Sequence, residues 1–298
     1  MEKPTIDTPN PLLLRDMLEP DNVETLGLCA DLHLPKDGSG PWPGVVILDG
    51  LGGPKDSRER RYGRKLSEHG YASLVIDSFT TRNVGARGDV VRALRVSEAM
   101  MLSDAFTGLR YLAGRSDVDP DRIGVIGFSY GGMIAVLAAY EQLARTFMPD
   151  GTRFGTHVSY YGCSVPRLDD PATTGAPVTH LLGGWDRNVS IDRVGKIAED
   201  LQRGGSESNV RIFDEVYHQW DGEDETRRFF PLNLRRLRFR IGSDGVVRDE
   251  RTGLRMNSRA KRLGLISLWI DPTGYSMLRD DETTKRSDEI LLAALSAM

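Results

Sequence analysis

The sequence predicts an α/β fold, with a mostly parallel central sheet, helices on both faces and a small β-rich excursion before the last helix. Three observations point there. Short apolar runs alternate with helical stretches through most of the chain. One such run, Arg122-Ile123-Gly124-Val125-Ile126, leads straight into Gly127-Phe128-Ser129-Tyr130-Gly131, a serine in a sharp strand-to-helix turn. The next residues, Gly132-Met133-Ile134-Ala135-Val136-Leu137-Ala138-Ala139, are small and apolar. They suit a helix packed tightly behind the turn, its positive end near the serine.

In chain order, residues 25–34 read as an antiparallel strand on the sheet edge. The run 45–48 is a buried strand, bounded by Pro41 and Pro43 before it and Gly50 after it. A helix over 58–69 stops at Gly70, and a strand follows over 72–76. One long helix is expected over 90–113, then the strand 123–128 and the helix after Ser129. Strands at 158–161 and 178–182, a helix at 191–203 and a strand at 210–213 continue the alternation. Parallel neighbours need crossover connections, so helices must cover both faces of such a sheet. From 231 to 285 the rhythm breaks. There Leu237-Arg238-Phe239-Arg240-Ile241 and Val246-Val247 flank the hairpin-like turn Gly242-Ser243-Asp244-Gly245. A helix over 287–297 closes the chain. The whole reads as a single domain, with its core over 20–228 and 286–298 and an excursion or partial lid over 229–285.

Composition limits what this chain does. It has 298 residues, 39% hydrophobic and 28% charged, which is ordinary for a globular protein with a substantial core. A net charge of -4 gives no basic field for nucleic acid. No apolar stretch is long enough to span a bilayer, and the first ten residues lack signal-peptide features, so a cytoplasmic location is expected. Cys29 and Cys163 sit in apolar runs and read as two thiols in a reducing compartment. No C-x-x-C pair or His-rich tract suggests a metal, and no cofactor is expected. The arginine-rich stretch 227–240 reads as a solvated face, a binding surface or the interface of a possible homodimer.

An activated serine needs a base, and the base needs an orienting carboxylate. The strand at 178–182 runs into Gly183-Gly184-Trp185-Asp186, and the strand at 210–213 into Asp214-Glu215-Val216-Tyr217-His218. Both polar residues thus fall just past carboxyl ends of parallel strands, where open α/β sheets collect their reactive groups. Asp214 and Asp221 compete with Asp186 for the acid's role, and Asp186 has an alternative use as a helix cap near Ser190. His33, His69, His157 and His180 read as structural, with His33 and His180 making hydrogen bonds in the core. The order Ser, Asp, His is that of α/β-hydrolases. For the oxyanion hole, Asp49-Gly50-Leu51-Gly52-Gly53 follows the strand 45–48. One donor is expected from the Tyr130 N–H and the other from the Gly50 or Leu51 N–H. Trp185, Trp220, Tyr130 and Phe79 are candidate pocket walls.

These pieces, with Leu74-Val75-Ile76-Asp77-Ser78-Phe79-Thr80-Thr81-Arg82 and Tyr217-His218, resemble the dienelactone hydrolase family over about residues 25–221 and the last helix. The resemblance implies an α/β-hydrolase acting on an ester or lactone of a small carboxylic substrate, through an acyl-enzyme. Prototypes of the family use a cysteine nucleophile where this chain has Ser129, and a glutamate where it has Asp49. They hold the substrate carboxylate with two arginines. Arg82 matches the first, and after His218 there is no arginine until Arg227. The candidate substrate contacts are Arg82 and Asp49, from the resemblance, and Trp185, because it adjoins Asp186; a loop salt bridge is the alternative for Arg82 and a structural role for Asp49. The competing readings are a non-hydrolytic acyl-binding or interaction protein on the same fold, and an acyltransferase.

Overall fold

The computed structural model describes residues 1–163 and 166–298. Seven strands form the central sheet. In spatial order they are Ser208–Phe213, Val178–Gly183, Thr156–Tyr160, Val118–Phe128, Trp42–Leu48, Ala72–Asp77 and Cys29–His33. Six run parallel, and Cys29–His33 lies antiparallel against Ala72–Asp77 at the edge.

Alternation along the strands divides the core into two layers. Val46, Leu48, Leu74, Ile76 and Val125 pack into one cluster with the helices Glu98–Ala113 and Tyr130–Leu137. Val45, Ile47, Val75, Ile126 and Phe128 pack into the other, against Glu59–Glu68 and Asp281–Ser296. Each fully buried aliphatic side chain of this kind stabilises the fold by about 1.5–3 kcal/mol. The helices on both faces are therefore what make such a double-sided apolar sheet tolerable in water.

Four expected boundaries change, each for a local reason. The stretch 25–34 splits, because Thr25–Gly27 leaves the sheet to pair with Asp7–Pro9. The long helix expected at 90–113 is two helices, Asp89–Arg95 and Glu98–Ala113. Val96 is extended between them, and the Ser97 hydroxyl caps the second by accepting from the Met100 N–H at 3.3 Å. The last helix starts earlier than expected, at Asp281, where the Asp280 carboxylate accepts from the Thr283 N–H at 2.8 Å.

The fourth change concerns the excursion, which is not simply β-rich. Its hairpin, Phe239–Ile241 with Val247–Asp249, is where the turn signal put it, and it adds Pro166–Leu168 as a parallel third strand. Another strand pair joins Arg228–Phe230 to Tyr275–Met277. Between them lies an unexpected helix, Arg259–Trp269. Only Arg262 and Leu265 of that helix are buried, so it carries almost no apolar periodicity to read.

Candidate active site

Ser129 turns the chain from the strand Val118–Phe128 into the helix Tyr130–Leu137. Its backbone sits at φ 53° and ψ -107°, a conformation that non-glycine residues avoid. Close backbone packing holds it there. A Cβ at Gly127 would overlap the Gly131 carbonyl, and one at Gly131 would lie 2.5 Å from the Leu48 oxygen. The pentad's two glycines are thus the only side chains small enough for this crossing of strand and helix. The Ser129 N–H donates to the Tyr160 carbonyl at 2.9 Å, tying the turn to the neighbouring strand.

Asp186 follows the strand Val178–Gly183, in a turn where the Asp186 N–H donates back to the Gly183 carbonyl at 3.2 Å. His218 follows the next strand, Ser208–Phe213. The sheet register brings the three side chains together at one edge. His218 Nδ1 lies 2.6 Å from Asp186 Oδ2, and His218 Nε2 lies 3.0 Å from Ser129 Oγ. A carboxylate only accepts, so the Nδ1 proton donates to it and the neutral ring's Nε2 is left as an acceptor for the serine hydroxyl. All three groups are buried. The second Asp186 oxygen accepts from the Asn188 N–H at 2.7 Å, leaving the carboxylate one orientation. Asp186 caps no helix: the helix Ile191–Arg203 has Ser190 at its N-cap. Asp221 binds the Tyr161 hydroxyl at 2.5 Å instead of the imidazole.

The His218 ring is packed edge-on between two tyrosines, with centroids 4.7 Å from Tyr161 and 5.0 Å from Tyr275. Its backbone N–H donates to the Ser276 carbonyl at 3.3 Å, which joins it to the excursion. Cys163 Sγ lies 3.9 Å from Ser129 Oγ. Burial pushes that thiol up to about 12, so it stays protonated and is a poor nucleophile beside the serine.

The loop after Trp42–Leu48 approaches the serine closely, since a Cβ at Gly50 would stand 3.5 Å from Ser129 Cβ. Of the two expected loop donors, the Gly50 N–H faces Glu59 Oε1 at 3.4 Å. Leu51 and Tyr130 direct their N–H groups to no acceptor among the described residues. The loop is fixed from two sides. The Gly53 N–H donates to the Gly50 carbonyl at 2.9 Å, and Arg92 Nη1 donates to the Leu51 carbonyl at 2.8 Å. Beneath it lies a buried ion pair, Arg58 Nη2 to Glu59 Oε1 at 2.8 Å. Sequence reasoning missed Asn188, Arg92 and this pair; the one readable hint was the position of Asn188, two residues past Asp186.

The three candidate substrate contacts lie elsewhere. Arg82 turns inward, with Nη1 2.6 Å from Asp104 Oδ2 and Nε 2.9 Å from Asn10 Oδ1, and it does not line the cleft at Ser129. Burial of both partners makes that an anchor for the helix Glu98–Ala113, with no face left for a substrate carboxylate. Asp49 is fully buried, and neither of its oxygens has a hydrogen-bond partner. Burial, then Asp77 and Glu59, hold its carboxyl well above the usual carboxylate range. Trp185 is half exposed and packs against Tyr217, the ring centroids 5.2 Å apart and the planes tilted. It borders a separate open hollow of about 740 Å³ that Ser129 does not line. Trp220 and Phe79 are likewise core residues, and the Tyr130 hydroxyl meets Arg262. The histidine expectation also changes, because His33 Nε2 and His180 Nε2 are buried without partners.

Among the described residues no cluster of three or more His, Cys, Asp or Glu side chains could hold a metal ion, and no helix is long and apolar enough to cross a membrane.

The sequence profile of the Dienelactone hydrolase family matches residues 29–229. A Bacillus subtilis protein named "Putative hydrolase YtaP" is 33% identical over 143 residues, covering 39% of this chain and 48% of that protein, so the match spans about half of that relative's length. Among solved structures, the Klebsiella pneumoniae "Putative Dienelactone Hydrolase" shares the fold with a TM-score of 0.55 at 20% identity, covering 73% of this chain and 88% of that one. The Thermogutta terrifontis esterase Est2 does so with a TM-score of 0.52 at 16% identity, covering 65% and 81%. The chain belongs to the dienelactone hydrolase family, a family of carboxylic ester hydrolases.

Proposed function

We propose that this member of the dienelactone hydrolase family cleaves an ester or lactone bond of a small carboxylic substrate through an acyl-serine intermediate. One observation carries the reading, the unbroken chain from Asp186 Oδ2 through the His218 ring to Ser129 Oγ, with links of 2.6 and 3.0 Å. In this reading Ser129 Oγ attacks the substrate carbonyl carbon as His218 Nε2 takes the hydroxyl proton. Asp186 holds the ring tautomer and stabilises the imidazolium. The N–H groups of Tyr130 and Leu51 receive the oxyanion, since the Gly50 N–H is turned to Glu59. The imidazolium then gives its proton to the leaving alkoxide. A water, deprotonated by the same nitrogen, attacks the acyl group and releases the acid and the serine hydroxyl.

The experiment is labelling with a fluorophosphonate alongside hydrolysis of p-nitrophenyl acetate. Wild type is expected to label and turn over, while Ser129→Ala does neither, its kcat falling by about 10⁶. An unlabelled wild type, or a variant that labels as well as wild type, would reject the assignment. Transfer of the acyl group to an added alcohol in preference to water would make the protein an acyltransferase.

A further inference from the structure

We propose that the segment 228–277 gives this enzyme a preference for neutral esters carrying an apolar chain of about six carbons, in place of the carboxylate-bearing lactones after which its family is named. The proposal rests on the Ser129 reading above. The cleft that exposes Ser129 measures about 190 Å³. At ~30 Å³ for each water-sized heavy group, that is room for about six such groups. Its roof is apolar and comes from the excursion: Leu232, Leu234, Ile266, Ile270 and Met277 all face the cleft. None of these residues falls within the 29–229 span that matches the family.

Each cation of the cleft already has a protein carboxylate within 3.8 Å. Lys55 Nζ lies 2.6 Å from Glu223, and Arg58 Nη2 lies 2.8 Å from Glu59. Arg92 is held by the Leu51 carbonyl at 2.8 Å and Asp89 at 3.4 Å, while Arg228 faces Asp224 at 3.8 Å. A substrate carboxylate here would compete with the protein carboxylate beside each cation, least so at the mostly exposed Arg228. An apolar chain meets no such competitor, and it covers side chains that water otherwise wets.

The roof is also fixed in place. Arg262, buried in the helix Arg259–Trp269, donates to Glu98 Oε1 at 3.1 Å, to the Ala93 carbonyl at 2.7 Å and to the Tyr130 hydroxyl at 3.2 Å. Asn188, beside the acid, accepts from the Leu234 N–H at 3.1 Å. The apolar wall therefore stands at a set distance from the serine, which is what lets a pocket measure chain length.

The test is a chain-length series on the whole protein. With p-nitrophenyl esters from acetate to octanoate, kcat/KM is expected to rise about fourfold per methylene up to hexanoate and then to level. A parallel series of alkyl acetates tells whether the pocket takes the acyl or the alcohol side. Ile266→Trp should cut hexanoate turnover about tenfold while leaving acetate within about twofold, and Leu232→Gln, at a half-buried position, should act the same way. Methyl hexanoate should exceed the carboxylate-ended monomethyl adipate by at least about tenfold. A flat series in both directions, a preference for the carboxylate-ended ester, or equal losses on all esters in both variants would overturn the proposal while leaving the serine-esterase reading intact. If no ester is hydrolysed, calorimetric binding of methyl hexanoate and methyl acetate to Ser129→Ala decides separately. Tighter binding of the longer ester upholds the apolar pocket, and equal or absent binding overturns it.

Discussion

Floor and roof of the cleft are held in place by opposite means. The floor is a set of loops at the carboxyl edge of a sheet buried on both faces, and strands such as Trp42–Leu48 send alternate residues into two separate apolar layers. A one-residue slip there would exchange the two layers, so register places Ser129, Asp186 and His218 without help from charge. The roof has three-residue strands, and its buried apolar residues, Leu237, Phe239, Ile241, Met256 and Leu265 among them, join one of the sheet's two core clusters. Guanidinium groups add direction to that packing: Arg262 on Glu98, Arg193 on Glu250 at 2.9 Å, and Arg251 over the Trp269 ring at 4.2 Å. A planar fork of donors supplies the direction that short ladders cannot. Long ladders position the candidate triad in this molecule, and arginines help to position the segment above it.

The largest effect expected from separating the two regions lies in the floor. Asp186→Asn should lower kcat by about 10⁴, because an amide no longer fixes the ring tautomer. Thermal unfolding should move by only a few degrees, and a large stability loss with kcat nearly intact would assign Asp186 to the fold instead. Next comes the roof's anchor. Arg262→Ala leaves Glu98 without its partner and should cost about 3 kcal/mol in urea unfolding. A loss no larger than about 0.5 kcal/mol, the usual result for a surface site, would mean that packing alone holds the roof.

Between pH 7 and 5, histidine titration should act on the sheet and spare the roof, since none of the chain's five histidines lies within residues 230–277. His157 and His180 stand on neighbouring strands, and burial pushes each down to about 4. Their folded values lie below the ordinary one, so the unfolded chain binds protons first and stability falls as pH drops from about 6.5 towards 4. At pH 5 each histidine should cost about 2 kcal/mol. Urea midpoints at pH 7 and pH 5 measure the drop, and His180→Leu should shrink it by that amount. An undiminished drop in the variant would clear His180 of the effect.

How much was legible in the sequence follows the same division. Ser129, Asp186 and His218 could be located because each belongs to a local grammar of strand, turn and helix, and their chain order reports the sheet order. Arg82 could not be interpreted this way. Its partner Asp104 is 22 residues away on another helix, and only packing tells whether a guanidinium faces a cleft or a carboxylate. The substrate readings of Asp49 and Trp185 do not fit the structure for a related reason, because strand-end position does not say which side of the loop meets solvent, and for Asp49 the structural alternative stands. The helix Arg259–Trp269 carried too little amphipathic pattern to be seen, and Ser97 looked like an ordinary helical residue until it proved to be a cap.

The bond from the His218 N–H to the Ser276 carbonyl, with Tyr275 edge-on to the imidazole, bears on how the excursion can change. The excursion is joined directly to the residue proposed as general base. A homologue's cap grafted in its place would have to supply a strand at the same height and an aromatic ring at the same angle before any new pocket shape mattered. Diversity in this enzyme is therefore cheapest to explore inside the existing cap, at positions such as 232, 266 and 270, with Tyr275–Met277 kept as the seam.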